Sequence, residues 1–197
     1  MTVILVGKSG SGKTTVSKNL EKMFGYKRVV TYTTRPPREG EINGVDYWFV
    51  PKWDFFMAIM NDELMEYQEY EASFGKVSYG SSKLDFRKKY LKKEEKNRVI
   101  VLNPEGVLNV LKKIDFQSSF IEFDDIEIFY LDVSDSVLQK RLETRGDDDK
   151  EISRRLTSDA QDVKKIDHLI EEGKIHVING EDDIDSICKN IIETVKD

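Results

Sequence analysis

A glycine-rich stretch near the start of the chain carries the residue types that hold nucleotide phosphates. It reads Gly7-Lys8-Ser9-Gly10-Ser11-Gly12-Lys13-Thr14 and fits the pattern G-x-x-x-x-G-K-[ST]. The glycines let backbone N–H groups turn towards phosphate oxygens, Lys13 brings positive charge to the β- and γ-phosphates, and the Thr14 hydroxyl faces Mg²⁺. We therefore predict a phosphate-binding loop, with a glycine-rich turn that binds nothing as the plainer alternative.

A second stretch has the residue types for a smaller anion. Arg35 and Arg38 flank two prolines, which stiffen the backbone, and the guanidinium forks suit the planar oxygens of a monophosphate. The phenolic O–H groups of Tyr47 and Tyr79 are candidate donors to the same phosphate. Taken alone, an arginine and proline segment of this kind is also typical of a solvated loop.

The elements around the first loop predict a parallel sheet. The apolar run Thr2–Val6 reads as a buried strand before the loop, and a helical pattern from Lys13 ends near Gly25. Three later apolar runs, each followed by a helical pattern, are Arg98–Leu102, Ile126–Leu131 and Lys174–Ile178, with helices from about Pro104, Asp135 and Asp182. Alternating strands and helices indicate an α/β, doubly wound parallel sheet.

Between the first and second of these units the rhythm changes to short aromatic strands. The strand-like pieces are Tyr47–Val50, Met65–Tyr70 and Gly75–Tyr79, around a helix at Trp53–Met60, so we predict an inserted mixed α/β subdomain. Its small core is expected to hold Phe55, Phe56, Met57 and Met60. Near the far end, Gly146–Lys150 predicts a mobile loop and 151–172 a single helix, together a candidate lid.

The amino-acid composition argues against several kinds of partner and compartment. The formal net charge of −6 over 197 residues argues against nucleic acid or an anionic membrane surface as a partner. The single cysteine, Cys188, excludes an internal disulfide, and no cysteine and histidine cluster suits zinc, so we expect a reducing cytoplasm and a packing role for Cys188. The run Val3–Val6 is too short for a signal or a membrane span.

The stretch from Thr33 to Val50 resembles a long family signature. It matches every fixed position of TTRxPRxGExxGxDYxFV, the signature of the guanylate kinase family, and the resemblance continues through Glu63–Glu66, Tyr79–Ser81, Arg141–Gly146 and Arg154–Leu156. The resemblance implies a P-loop fold with a GMP-binding insertion and a helical lid. It also implies transfer of the γ-phosphoryl of ATP to GMP, and to dGMP, with Mg²⁺. We expect a monomer or a homodimer.

The same resemblance implies roles residue by residue. The expected ATP contacts are Gly7, Lys8, Ser9, Gly10, Ser11, Gly12, Lys13, Thr14, Thr15 and Arg141. The expected GMP contacts are Thr31, Arg35, Arg38, Tyr47, Glu66, Tyr79, Ser81 and Asn103. The expected catalytic residues are Lys13, Arg38, Arg145 and Arg155, with Thr14 as the metal contact beside ATP phosphates and water. The implied boundaries are a core at 1–31 and 83–197, an insertion at about 32–82 and a lid at about 141–160.

Glu66 is chemically suited to guanine. Guanine presents its N1–H and N2–H side by side, and one carboxylate accepts both, whereas adenine has no such pair of donors on that edge. If Glu66 faces the base, as the resemblance implies, we expect it to favour guanine over adenine.

The chain departs from the family pattern where most members have Asp-x-Asp-x-Gln-Gly. Here Val101 and Asn103 replace both acids, so we expect altered base selection and a metal held mainly by Thr14, water and ATP. Asp132 is either a substitute acid or, with Ser134, a cap of the next helix. A lid about one residue short leaves open whether Arg154 or Arg155 faces the phosphates. Two alternatives stay open: a kinase for another nucleoside monophosphate, and an inactive interaction domain.

Overall fold

The computed structural model describes residues 1–72, 75–86, 97–117, 125–146 and 148–196. The strands are β1 (Thr2–Val6), β2 (Lys27–Arg28), β3 (Tyr32–Thr33), β4 (Trp48–Phe49), β5 (Leu64–Ala72), β6 (Gly75–Ser82), β7 (Arg98–Val101), β8 (Ile126–Asp132) and β9 (His176–Asn179). The helices are α1 (Lys13–Phe24), α2 (Lys52–Met60), α3 (Pro104–Gln117), α4 (Asp135–Thr144), α5 (Asp149–Lys164), α6 (Asp167–Glu171) and α7 (Ile184–Lys196), with a 3₁₀ turn at Lys83–Phe86.

A parallel five-stranded sheet carries the amino-terminal loop. Its strand order is β2-β7-β1-β8-β9, and β1 pairs in parallel with both β7 and β8. All of β1 is buried, as expected for a central strand covered on both faces. The predicted α/β fold is therefore confirmed, and the four sheet strands read from the sequence lie within two residues of their predicted positions.

Helices α1 and α7 cover one face of this sheet. Val3 and Leu5 of β1 belong to a buried cluster with Val16 and Leu20 of α1. The α7 members of that cluster are Ile187, Cys188, Ile191 and Ile192, so Cys188 packs in the core as expected. Because alternate residues of a strand face opposite sides, Ile4 points to the other face, where it is also fully buried.

The insertion forms its own small sheet, with strand order β4-β3-β6-β5. Strands β5 and β6 form an antiparallel hairpin that pairs Glu66 with Ser81. Helix α2 packs through Phe55, whose ring reaches the space that a side chain at Gly80 would fill, with a Cβ there only 3.1 Å from it. The predicted core was wrong for the other three residues: Phe55 is the buried side chain of α2, and Phe56, Met57 and Met60 are exposed.

The predicted single helix at 151–172 is two helices, so that prediction was wrong. Asp148 caps α5 by accepting the N–H of Glu151. The helix ends at Lys164 because the next two backbone N–H groups bond three residues back, which tightens the last turn, and Ile166 turns into the core. Asp147, within the predicted mobile loop, lies outside the described residues.

The chain divides into two compact units by its internal contacts. The first takes in Met1–Arg28, Asn97–Val107 and Asp125–Asp197, and the second Val29–Lys96 and Leu108–Asp124, each with the gaps given above. The boundaries at 31/32 and 82/83 stay predictions. Within the described ranges, no helix has the length and apolar character needed to cross a membrane.

Candidate functional site

The glycine loop turns tightly between β1 and α1. A Cβ at Gly7 would lie 2.8 Å from Ser11 Oγ and 3.0 Å from the Leu131 carbonyl oxygen, so a side chain there has no room. Gly12 is the N-cap of α1 and has a φ of 97°, a conformation that favours glycine. Thr14 and Thr15 lie exposed on the first turn of α1. The loop thus has the tight backbone and helix N-terminus that an anion site requires.

Lys13 folds back over this loop. Its Nζ donates to the carbonyl oxygens of Gly7 and Lys8 at 2.7 and 2.8 Å. Burial lowers the pKa of Lys13 from 10.5 to about 8, the carboxylate of Asp159 opposes that shift, and the guanidinium of Arg145 adds to it. Lys13 and Arg145, both predicted to be catalytic, therefore lie close enough to interact electrostatically.

Two carboxylates hold the amino-terminal half of the loop. Asp159 of α5 accepts the backbone N–H of Ser9 at 2.5 Å, and Asp135 of α4 accepts from Lys8 Nζ at 2.8 Å. Neither contact was expected from the sequence. The Asp159 contact spans 150 residues, so no local pattern reveals it. The one available signal is that Asp159 follows Arg155 by four residues, which puts both on one face of a helix.

The predicted lid arginines differ in their surroundings. Arg141 donates to the carbonyl oxygens of Gly10 and Gly180 at 3.3 and 3.2 Å, which places it beside the loop. Glu151 accepts from both Arg154 and Arg155, and these contacts lower the pKa of Glu151 to about 2. Arg155 is 20% exposed and Arg154 is 57% exposed. Arg155 is therefore the inward member of the pair.

In the insertion, Arg35 is held by Glu41. Its two terminal nitrogens donate to the two Glu41 oxygens at 2.6 Å each, and its Nε donates to the Tyr79 hydroxyl at 3.1 Å. The guanidinium carbon lies 4.9 Å from the centre of the Tyr47 ring. With a further bond to the Pro36 carbonyl oxygen, contacts among the described residues use four of its five N–H groups. The side chain of Tyr47 is a further hydrogen-bond partner of Arg35.

Arg38 joins this cluster through its backbone. Its N–H donates to Glu41 at 2.7 Å, while its side chain is exposed. The hydrogen bond from Arg35 lowers the pKa of Glu41, so Glu41 stays ionised. Because Tyr79 accepts from Arg35, its own hydroxyl proton is free to point at an anion. The structure thus brings Arg35, Tyr47 and Tyr79 together and leaves the Arg38 fork in solvent.

Glu66 is a buried carboxylate on β5. It is 6% exposed, and its Oε1 accepts a hydrogen bond from the Ser81 hydroxyl at 2.9 Å. Burial raises the pKa of Glu66 to about 7, and the Ser81 contact opposes that shift. The structure therefore pairs these two predicted residues. Thr31, the other expected neighbour of the base, is half-buried, and its carbonyl oxygen accepts from the Trp48 N–H.

Asn103 lies between β7, which ends at Val101, and α3, which it caps. Its amide oxygen accepts the backbone N–H of Gly106 at 2.7 Å, as an asparagine before a helix does. The oxygen expected to accept from a base is thus already engaged by the helix. Val101 ends β7 with an apolar side chain. Asp132, weighed above as a substitute acid or as a cap of the next helix, is the last residue of β8. The N-cap of α4 is Ser134, whose side chain makes no capping bond. The backbone N–H of Ser134 donates to a carboxylate oxygen of Glu181.

The donors available for a metal are few. Across the described ranges, no group of three or more histidine, cysteine, aspartate or glutamate residues is arranged to hold a metal ion. The hydroxyl of Thr14 lies exposed on the first turn of α1, where a cation on bound phosphates would meet it. This set fits Mg²⁺ that keeps most of its ligands from phosphate and water.

The arrangement defines a class of protein. A parallel sheet whose central strand leads through a glycine loop and a half-buried lysine into a helix is the P-loop fold of nucleotide kinases. The separate insertion with its arginine and tyrosine cluster is suited to a second, smaller phosphate.

Comparison with known proteins names the family. The guanylate kinase family profile matches residues 1–197. A guanylate kinase of Wolbachia pipientis is 34% identical over 196 residues, 96% of this chain and 86% of the relative. One from Bacillus cereus is 30% identical over 185 residues, covering 90% of this chain and 82% of the relative. The chain belongs to the guanylate kinase family, a family of ATP-dependent nucleotide kinases, which confirms the resemblance carried by the signature.

A solved structure supports the fold. The guanylate kinase of Anaplasma phagocytophilum aligns with a TM-score of 0.66 over 99% of this chain and 85% of that one, at 24% identity. At that identity the likeness is one of fold. The roles of individual residues therefore rest on their geometry.

Proposed function

We propose that the protein transfers the γ-phosphoryl group of ATP to GMP, and to dGMP, giving ADP and the guanosine diphosphate. The observation that carries the choice of base is the buried pair of Glu66 and Ser81. An ionised Glu66, fixed by the Ser81 hydroxyl at 2.9 Å, has acceptor oxygens to meet the N1–H and N2–H of guanine. Adenine has no matching donor pair on that edge.

The reaction needs alignment and charge neutralisation more than acid–base chemistry. An oxygen of the GMP phosphate attacks the γ-phosphorus, and the bond from that phosphorus to the β,γ-bridging oxygen breaks, so ADP leaves with the electron pair. The attacking oxygen is already ionised near pH 7, so no general base is required. Lys13, Arg145 and Arg155 supply positive charge to the transferred group, and Arg141 supports the loop.

Arg35 and Arg38 divide the work at the acceptor phosphate. Arg35 is fixed by Glu41 and brings a positive charge at a set position, while Arg38 is exposed and brings a whole guanidinium fork. Tyr47 and Tyr79 add phenolic O–H groups. We infer that Arg35 sets the position of the acceptor phosphate. The exposed Arg38 side chain is then expected to move onto the bound phosphate and to neutralise its charge.

Mg²⁺ fits the donors present. Thr14 would hold it together with ATP phosphates and water, and the ion would neutralise charge on the β- and γ-phosphates. No acid at position 101 or 103 adds to that set. We propose a cytoplasmic enzyme, monomeric or homodimeric, without a nucleic acid or membrane partner.

A different nucleoside monophosphate is the second candidate acceptor, favoured by Val101 and by the engaged oxygen of Asn103. A coupled assay of ADP release with GMP, dGMP, AMP, dTMP and dCMP decides between the two. GMP and dGMP are expected to give the highest kcat/KM. GMP among the poorest acceptors would overturn the first choice.

An inactive domain that binds protein ligands is the other alternative. The intact loop and the position of Lys13 over it argue against this reading, because a scaffold has no need of either. Titration of the protein with ATP·Mg²⁺ is the direct test, and we expect saturable binding. Absence of ATP binding would favour the scaffold.

A further inference from the structure

Asp159 occupies a hydrogen-bond donor of the phosphate loop. Its carboxylate accepts the backbone N–H of Ser9 at 2.5 Å. Loop N–H groups of this kind are the donors that bind phosphate oxygens, and a carboxylate oxygen is an anionic acceptor of the same kind. A phosphate oxygen that takes the Ser9 N–H must therefore displace Asp159.

The same carboxylate interacts with the charge of the loop. Asp159 favours the charged form of Lys13, which its burial and Arg145 both disfavour. Lys13 itself donates to the loop carbonyls of Gly7 and Lys8. Asp159 thus satisfies, from within the chain, one donor and part of one positive charge that the ATP phosphates would otherwise meet.

Helix α5 presents this carboxylate together with a predicted catalytic arginine. Glu151, Arg155 and Asp159 are spaced by four residues, so they share one face of the helix. Arg155 is the less exposed of the two adjacent arginines, 20% against 57% for Arg154. The Ser9 contact therefore holds the Arg155 face of α5 towards the loop.

We propose that Asp159 is an internal competitor of the ATP phosphates, which holds α5 on the loop until the nucleotide displaces it. The inference rests on the proposed role of the loop in binding ATP. If the loop is accessible to phosphate for only a fraction of the time, the measured affinity for ATP falls by that fraction. Removal of the competitor is then expected to strengthen ATP binding, which is the opposite of what loss of a structural contact does.

The test is calorimetric titration of the whole chain with ATP, with and without Mg²⁺. Asp159→Asn keeps the shape and removes the charge, and we expect a Kd for ATP about tenfold lower than that of the wild type. Asp159→Ala removes the acceptor and is expected to strengthen binding at least as much. Asp162→Asn is the matched control, because Asp162 lies on the same helix but pairs with Lys165, and it is expected to leave the Kd unchanged.

The outcomes separate cleanly. An unchanged or higher Kd in both Asp159 variants, with ATP binding by the wild type, overturns this inference alone. Weaker binding only in the presence of Mg²⁺ also overturns it, since that result indicates a metal contact at Asp159. No ATP binding by the wild type would overturn the proposed function and this inference together. Melting curves confirm folding, and either variant suffices should the other fail to fold.

Discussion

Two carboxylates in this chain lie on groups predicted to hold phosphate, and they do so in different ways. Glu41 accepts from both terminal nitrogens of Arg35, six residues before it, and from the Arg38 N–H. Asp159 accepts one N–H, that of Ser9, across 150 residues. The Glu41 contact is a bidentate pair between charged groups, whereas the Asp159 contact is one bond to a neutral backbone N–H, so the Asp159 contact is expected to be the easier one to displace.

Glu41 orients a phosphate-binding group, whereas Asp159 competes with phosphate for one. Glu41 holds the Arg35 guanidinium against the Tyr47 ring and leaves the Arg38 side chain exposed, so an acceptor phosphate can bind without displacing Glu41. Asp159 takes the donor itself. Glu41 thus orients Arg35 for the acceptor phosphate, whereas Asp159 occupies the Ser9 N–H that an ATP phosphate would need. Substitutions on the two sides are expected to have opposite signs.

The largest effect is expected from the loop lysine. Lys13→Ala should lower kcat by about a thousandfold, because it removes a positive charge that neutralises the transferred group. Lys22→Ala removes an exposed lysine from the same helix and should leave kcat unchanged. Steady-state kinetics with circular dichroism melting makes the measurement. Near-normal turnover by a folded Lys13→Ala enzyme would contradict the assigned role.

Substitution of Glu66 should weaken the use of GMP and leave the binding of ATP unchanged. Glu66→Gln places an amide N–H against donors of the base, so the KM for GMP should rise about a hundredfold while the Kd for ATP stays constant. Glu69→Gln on the same strand is the control, since Glu69 is exposed. Measuring the KM for GMP and the Kd for ATP on the same variants tests whether Glu66 acts on GMP alone. Equal losses in GMP use and ATP binding would refute it.

Glu41→Gln tests whether Glu41 orients Arg35 or competes with phosphate for it. Loss of the paired carboxylate releases the Arg35 guanidinium from its fixed orientation, so we expect the KM for GMP to rise about tenfold. The change is opposite in sign to that expected for ATP with Asp159→Asn. Glu39→Gln, in the same loop and exposed, should have no effect. A lower KM in Glu41→Gln would mean that Glu41 competes for Arg35 as Asp159 competes for Ser9.

The sequence predicts local features of this molecule well and distant ones poorly. The loop and its flanking strand and helix follow from patterns within short stretches, and the family resemblance names Glu66 and Ser81 as GMP contacts without predicting the hydrogen bond between them. The Asp159 contact depends on how α5 packs, and no spacing rule reaches across that distance. The exposure of Met57 and Met60 was missed for a related reason, because periodicity shows that a helix is apolar but not how much of it is covered. Asn103 was expected to bind the base, but its amide oxygen accepts the Gly106 N–H at the start of α3, and the resemblance alone did not reveal that capping role.

The smallest predicted effect is a dependence of GMP binding on pH. The pKa of Glu66 lies near 7 because of burial, and the guanine donors require the ionised form. As pH falls through 7 more of the carboxylate is protonated, so the KM for GMP should be about fivefold higher at pH 6 than at pH 7 and should fall slightly towards pH 8. The phosphate of GMP also titrates near pH 6, so Glu66→Gln is the control: it keeps that titration and lacks the carboxylate. Identical pH profiles for the two proteins would remove Glu66 from base recognition, and the contrast between the two sides would then rest on Glu41 and Asp159 alone.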